Sequence, residues 1–323
     1  MKDFAGKFAV ITGGGTGMGR ELARQLVAEG CNVAMCDISM EAMAETRRLC
    51  EAEKLPQGLR ITTHVADVSI EDHLQRFRDE LIEQQATDKI HLLFNNAGIG
   101  GGGGSLFTNT REAWERTFNI CWGGVYLGVR TFMPLLMKAD EGHIVNTSSV
   151  NGFWASVGPG VSHTAYASAK FAVKGFTEAL MNDLRLNAPH IKCSVVMPGH
   201  IGTSIVSNSR KIISGTESDQ LSPNEVLSAR QRLKGMGIDT AAMSDDDIQK
   251  IAQDRARSFR DEAPTSAAAA AKIILDGVKA EQWRILVGDD AHTLDERVRK
   301  TPEQAYTPEF YQSFAEEVGW RLG

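Results

Sequence analysis

Tyr166 and Lys170 stand four residues apart in Tyr166-Ala167-Ser168-Ala169-Lys170, inside an amphipathic stretch from Ala165 to Leu186. On a helix this spacing places a phenol and an ammonium on one face, one turn from each other. A free tyrosine ionises near pH ~10 and is a poor base at neutral pH. A neighbouring positive charge favours the phenolate and is expected to draw its pKa down toward the working range. The pair is a candidate proton-transfer device. Solvated helix faces carry the same spacing, so the rest of the chain has to decide.

A second chemical feature opens the chain. Thr12-Gly13-Gly14-Gly15-Thr16-Gly17-Met18-Gly19 follows a short apolar run and leads straight into an amphipathic stretch, Met18–Glu29. Glycine lets a backbone come close to a pyrophosphate and take turns that side chains resist. The helix behind it offers free N–H groups and a partial positive charge to the phosphates. The run reads T-G-x-x-x-G-x-G and does not satisfy G-x-G-x-x-G, because Met18 takes the last required position. Asp37 lies eighteen positions after Gly19 at the end of the next apolar run, where a carboxylate can accept from adenosine ribose hydroxyls. It would repel a 2′-phosphate, and neither Thr16 nor Ile38 is basic. NAD is expected over NADP, with Arg20, Arg47 and Arg48 facing solvent on helices.

These features need a scaffold. Lys7–Ile11, Asn32–Cys36, Arg60–His64, His91–Phe94, His143–Thr147, Lys192–Val196 and Trp283–Val287 read as strands, several of them apolar on both faces. Amphipathic stretches alternate with them: Met40–Glu53, Glu71–Gln85, Arg111–Met137 and Ser266–Ala280 besides the two above. That alternation predicts an α/β fold, a doubly wound parallel sheet of about seven strands. Residues 1–288 form the expected catalytic domain. Within it, 204–263 is a largely helical insertion with mobile loops, where Ser244 caps a helix over Ile248–Phe259. Residues 289–323 form a tail with a short aromatic helix around Phe310–Phe314, not a separate domain.

Composition narrows the partners. The net charge of −6 offers no basic excess for nucleic acid or anionic membranes. No apolar run reaches the ~18 residues a membrane span needs. Five irregularly spaced cysteines without C-x-x-C point to reduced thiols and a cytoplasmic setting, with no metal site.

With these pieces assembled, the chain resembles the classical short-chain dehydrogenase/reductases over roughly Lys7 to Thr203, plus Ser266–Val287. The resemblance rests on ordered motifs: Thr12 to Gly19, Asp67-Val68, Asn95-Asn96-Ala97-Gly98, Asn119, Ser149, Tyr166-x-x-x-Lys170 and Pro198-Gly199-x-Ile201-x-Thr203. It implies a Rossmann fold and hydride transfer between a secondary alcohol or ketone and NAD(H). In that scheme Tyr166 is the general acid/base and Ser149 binds the substrate oxygen, with Ser148 its nearest rival. Lys170 holds ribose hydroxyls and lowers the tyrosine pKa, while Asn119 anchors a water that links Lys170 to solvent. The cofactor is expected against Gly13, Gly15, Thr16, Gly17, Met18, Gly19, Asp37, Asp67, Val68, Asn95, Ala97, Gly98, Tyr166, Lys170, Pro198, Gly199, Ile201 and Thr203. A homotetramer or homodimer packing through Arg111–Met137 and Ala165–Leu186 is implied as well.

The chain also departs from that pattern. Seventeen positions separate Ser149 from Tyr166, more than the family's common spacing. The extra residues fall in Phe153–His163, so Phe153, Trp154 and His163 are expected to line a larger, more aromatic substrate pocket. Gly100–Gly104 is expected to be a flexible surface loop, and the long 204–263 insertion a lid over a bulky, mostly apolar, cyclic or aromatic substrate. An NADPH-using 3-oxoacyl-carrier-protein reductase is the alternative, opposed by Asp37 and the negative charge. A dinucleotide-binding protein without turnover is a further alternative, opposed by the complete set of four polar residues.

Overall fold

The computed structural model describes residues 1–53, 58–101, 104–158, 161–216, 218 and 220–320. Its strands are β1 Phe8–Thr12, β2 Asn32–Asp37, β3 Ile61–Val65, β4 Leu92–Asn95, β5 Gly142–Thr147, β6 Ile191–Pro198, β7 Ile201–Gly202, β8 Thr265–Ser266 and β9 Arg284–Val287. Seven of them pair in parallel in the order β3-β2-β1-β4-β5-β6-β9. The expected doubly wound sheet is present, with the strand order reversing between β1 and β4. Such a reversal opens a crevice at the carboxyl ends of the strands. Both the glycine-rich turn and the Tyr166 helix begin at that edge.

The helices are α1 Gly17–Ala28, α2 Met40–Ala52, α3 Glu71–Gln85, α4 Arg111–Phe118, α5 Gly124–Leu136, α6 Thr164–Asn187, α7 Ile205–Ser214, α8 Pro223–Gly235, α9 Asp245–Asp261, α10 Ala267–Lys279, α11 Asp289–Lys300 and α12 Pro308–Val318. One apolar layer joins α1 and α10 to one face of the sheet through Leu22, Leu26, Ile274 and Val278. The other face is covered by α3, α5 and α6 through Phe77, Phe132, Leu136 and Leu180. Burial on both faces explains why the strands read as continuous apolar runs.

Three differences from the sequence expectation bear on the site. The single helix expected over Arg111–Met137 is interrupted at Asn119–Gly123 by a π-helical turn. That extra residue per turn rotates the residues beyond it relative to an uninterrupted helix. The 204–263 segment does form helices, and Ser244 caps α9 in a reciprocal box with Asp247. It has a small core of its own around Val226, Leu233 and Ile248. Its two ends are clipped together by β7 and β8, too short for a periodicity reading to find.

The third difference is the tail, which contains α11, a helix the sequence reading left unassigned. Only Asp290, Ala291 and Leu294 of α11 are buried, so its apolar stripe is thin. Trp154 is fully buried among Phe310, Tyr311 and Phe314 of α12, and its Nε1 donates to the Ala305 carbonyl at 2.6 Å. Among the described residues no cation pairs with Asp290. Its carboxylate instead accepts from His200 N at 2.7 Å, Ala291 N at 3.0 Å and Trp320 Nε1 at 2.8 Å. Gly199 and Gly288 leave room for it, since a Cβ at either would stand within 2.4 Å of its oxygens.

Truncating Trp154 to alanine is expected to cost about 3–5 kcal/mol, the usual penalty for emptying an aromatic core position. Phe107→Ala, at a side chain 98% exposed, should stay within about 0.5 kcal/mol. Urea midpoints of the two variants would check the contrast, and an unshifted Trp154→Ala would refute the docking role.

Candidate active site

The glycine-rich turn is built by close approach. Gly13 and Gly17 take positive φ of 69° and 55°, a region open to glycine at no steric cost. A Cβ on Gly13 would lie 2.8 Å from Ala97 Cα, and one on Gly19 would lie 2.0 Å from the Gly13 carbonyl. Thr16 precedes α1 without capping it through its side chain, and no acidic residue occupies the first turn. The leading N–H groups of α1 therefore face the crevice with their partial positive charge uncompensated. Asp37 closes the turn from β2, accepting from Gly15 N at 3.0 Å and Ser39 N at 3.1 Å. These features fit a dinucleotide: room for a pyrophosphate, donors aimed at it, and a carboxylate where ribose hydroxyls would lie.

The nearby arginines do not alter that arrangement. Arg47 and Arg48 lie exposed and pair with Glu51 and Glu45. Arg20 departs from the expected solvent-facing position, because its guanidinium folds back to donate to the Gly15 carbonyl at 2.7 Å and to Thr46 at 3.1 Å. Those carbonyl and hydroxyl acceptors hold it beneath the turn.

The end of β4 divides the work between two asparagines. Asn95, expected at the cofactor, turns inward and donates to Asn146 Oδ1 at 2.8 Å with 1% of its surface exposed. Its side chain serves the β4–β5 contact. Asn96, missing from the expected set, donates from Nδ2 to the carbonyls of Thr12 at 3.2 Å and Gly13 at 3.3 Å. It holds the glycine-rich turn against β4; its place in Asn-Asn-Ala-Gly was the available signal. Asp67 is committed to Arg116 at 2.8 Å and to Ser69. Burial opposes its charge, but the bonds from Ser69 and Arg116 prevail and hold the carboxyl below its usual range. Val68 packs where Gly124 leaves space.

Tyr166, Ser149 and Lys170 come together where β5 ends and α6 begins. The Ser149 hydroxyl accepts from Asn151 N at 3.1 Å and lies near enough to the Tyr166 phenol to favour the phenolate. Lys170 Nζ stands 5.4 Å from the Tyr166 ring centre and donates to the Thr147 carbonyl at 2.9 Å. Ser148, the rival serine, is engaged elsewhere, donating to the Lys170 carbonyl at 2.7 Å.

The expected depression of the tyrosine pKa is absent. Burial pushes the phenol well above its ordinary value, the neighbouring Cys121 adds to this, and Ser149 offsets only part. Burial likewise lowers the Lys170 ammonium. Burial penalises the charged form of each.

Asn119 does not join this cluster. It is exposed at the end of α4, whereas Cys121, two residues on, is fully buried and bonded to the Ile99 carbonyl at 3.3 Å. A Cβ on Gly98 would lie 3.5 Å from Lys170 Nζ and 3.8 Å from Cys121 Sγ, so a thiol occupies the place expected of an amide. Residues two apart on a helix point to nearly opposite sides, and the π-turn at this point lies beyond periodicity.

Phe153 and Trp154 also leave the expected set. Trp154 is core of the tail cluster, and Phe153 packs on that cluster beneath the Arg284 guanidinium. The lengthened loop spends its aromatic surface on the tail, so the expected aromatic pocket wall is not formed by these two. His163 remains at the site, its ring centre 4.7 Å from that of Tyr166. Burial, with the charge of Arg232, lowers its pKa to about 4, which keeps it neutral at pH 7.

The loops around the crevice are anchored. Gly100 N donates to Ser209 of α7 at 2.8 Å, and Asn208 Nδ2 donates to Thr16 at 3.2 Å. A single helix therefore touches both the glycine-rich turn and the loop after β4. Gly104 accepts from Thr164 at the start of α6 through N at 3.0 Å and Oγ1 at 2.9 Å. The glycine run expected as a free surface loop is tied at both ends, while Gly102 and Gly103 lie outside the described residues. Thr203 approaches Gly17, its Cγ2 3.1 Å from where a Cβ would be. Gly199 lies against Asp290, and Ile201 is held in β7.

Comparison with known proteins agrees with this construction. The short chain dehydrogenase family model matches residues 7–213. The oxidoreductase SadH of Mycobacterium tuberculosis is 31% identical over 296 residues, covering 91% of each chain. Levodione reductase of Leifsonia aquatica is 32% identical over 208 residues, or 64% of this chain and 74% of that one. A short-chain dehydrogenase/reductase from Burkholderia phymatum, solved in complex with NAD, superimposes with a TM-score of 0.73 at 28% identity, covering 95% of this chain and 98% of the other. Fold, motif order and relatives converge: the chain belongs to the short-chain dehydrogenase/reductase family.

Proposed function

We propose that this oxidoreductase interconverts a bulky secondary alcohol and its ketone, with NAD as the preferred cofactor and Tyr166 as the acid/base. The observation that carries the proposal is the gathering of Tyr166, Ser149 and buried Lys170 at one point, with Lys170 Nζ 5.4 Å from the Tyr166 ring centre. A carbinol oxygen between the phenol and the serine hydroxyl would give its proton to Tyr166 as the carbon–hydrogen bond breaks. Ser149 would donate to the oxygen as charge moves through it. Lys170 would hold the nicotinamide ribose hydroxyls and favour the phenolate. A bound nicotinamide supplies the acceptor or donor of the hydride.

The rest of the cofactor would lie along Gly13 to Gly19, Asp37, Val68, Ala97, Gly98 and Pro198 to Thr203. Asp37 supports NAD, since a 2′-phosphate there would meet a carboxylate, with Arg47 and Arg48 exposed and paired and the Arg20 guanidinium bonded to Gly15 and Thr46. The solved neighbours include a complex with NAD and a complex with NADP. Substrate bulk is supported by the three lid helices α7, α8 and α9 and by the name of a relative that reduces levodione. With Asn119 facing outward, the water relay expected from it is not part of the proposal. A homo-oligomer is supported by an aromatic patch across the π-turn, α5 and α6, where Trp122, Tyr126 and Phe176 meet and Tyr126 is 39% exposed. No helix among the described residues is long and apolar enough to cross a membrane.

Tyr166→Phe is expected to lower kcat for alcohol oxidation about 10²–10⁴-fold, the range of a lost acid/base; near-wild-type turnover would end the assignment. The raised tyrosine pKa sets a sign for pH. Oxidation needs the phenolate, so kcat/KM should climb roughly tenfold per unit between about pH 7 and pH 9. Ketone reduction needs the protonated phenol and should stay flat over that window. Asn119→Ala should leave kcat/KM within about twofold, as exposed substitutions do, and a loss as large as that of Lys170→Ala would restore Asn119 to the reacting set. Asp37→Ala should erode the NAD-over-NADP ratio of kcat/KM by roughly tenfold through its lost ribose bonds; an unchanged ratio would remove Asp37 from cofactor choice.

A further inference from the structure

Asp290 is a buried carboxylate that the proposed chemistry leaves unused. It stands in the first turn of α11, 2% exposed, and no cation pairs with it among the described residues. Burying such a charge is costly unless N–H donors answer it. Here the donors come from three separate segments. Oδ1 accepts from Ala291 N at 3.0 Å within α11. Oδ2 accepts from His200 N at 2.7 Å, 90 residues earlier, and from Trp320 Nε1 at 2.8 Å, 30 residues later. One oxygen atom therefore joins the Pro198–Thr203 segment to the tail. Gly199 lies against the same carboxylate, where a Cβ would find no room.

The joined segment borders the glycine-rich turn. Gly199 N donates to the Val287 carbonyl at 3.0 Å, which holds the segment at the end of β9. Three residues beyond His200, the Thr203 methyl stands 3.1 Å from where a Cβ on Gly17 would be. Asn208 of α7 then donates to Thr16 at 3.2 Å. A displacement at His200 is thereby carried to the turn where the phosphates would lie. The His200 ring faces that of Phe259 at 4.4 Å, and its Nε2 meets the Phe259 carbonyl at 2.7 Å. His200 is thus held to the tail by its amide and to the lid by its ring. Trp320 reaches Asp290 after Gly319 turns the chain with a φ of 71°, and its ring packs edge-on against Phe314 with 5.0 Å between centres.

We propose that Asp290 is a positioning residue for the dinucleotide: it fixes the His200 amide, and through it the approach of Thr203 to Gly17, while Trp320 on the same oxygen couples tail docking to cofactor affinity. The inference rests on the proposed dinucleotide function and adds a route from the tail to that site. Such a coupling must act in both directions, so a tail that favours the cofactor is itself favoured by it. An asparagine here keeps the shape but turns N–H toward N–H on one side, so at least one of the three bonds is lost.

The test uses the full chain with NADH. Calorimetry should find wild-type binding, weakened about tenfold in Asp290→Asn, the scale of one lost charge-assisted bond. Trp320→Phe, which keeps an aromatic ring and removes the indole N–H, should weaken it about threefold. KM for NAD should rise by the same factors while kcat at saturating NAD falls less than about threefold, the pattern of lost binding without lost chemistry. Amide hydrogen exchange over residues 308–320 should slow when NADH binds the wild type and should not respond in Asp290→Asn. Equal NADH affinity in the wild type and a folded Asp290→Asn would overturn the positioning role and leave the proposed function standing. So would wild-type exchange over 308–320 that ignores NADH. If Asp290→Asn shows no cooperative urea transition, Trp320→Phe decides in its place, and an unchanged affinity there overturns the proposal. Failure of the wild type to bind either NADH or NADPH would sink the dinucleotide reading itself, and this inference with it.

Discussion

A lysine ammonium at 3% exposure, set at the carboxyl end of a parallel sheet, is the constraint around which this structure is arranged. Burying that charge is costly unless it is answered by acceptors. The Thr147 carbonyl answers it directly, and Ser148 fixes the backbone of the same residue. These bonds lock α6 to β5. Once α6 is locked, Tyr166 one turn away must face Ser149, and the reactive pair follows from the same docking.

Neighbouring elements support that docking with polar bonds inside an apolar core. Asn146 bridges β5 to α6 through Thr177 at 3.0 Å and to β4 through Asn95 at 2.8 Å. Asn96 then passes the alignment on to the glycine-rich turn. The phosphate-binding turn and the reacting tyrosine are thus held in register across three strands by asparagines with little freedom to move. Buried amides of this kind are costly when left unpaired, so they specify one arrangement of strands.

The tail and lid act on the same edge of the sheet from outside. Asp290 gathers the Pro198–Thr203 segment and Trp320 onto one carboxylate, while the His200 ring reaches the Phe259 carbonyl of α9 at 2.7 Å. The segment expected to meet the cofactor is therefore tied at once to the last helix of the lid and to the end of the tail. A chain with a shorter insertion would lack these ties.

Sequence alone determined the parallel sheet, the glycine-rich turn, the place of Asp37 at a strand end and the Tyr166–Lys170 spacing. Each is written in local terms: apolar runs, glycines at fixed steps, or two residues one helical turn apart. Tertiary structure decided what local terms could not. The π-turn set Cys121 inward and Asn119 outward, because an extra residue in a helix changes facing without changing composition. The aromatic loop turned to the tail because a hydrophobic surface goes to whichever partner buries it, and that partner, α12, lies more than a hundred and fifty residues away. The tyrosine pKa rose because dehydration of the site outweighs the help of Ser149, and burial is a property of the assembled fold.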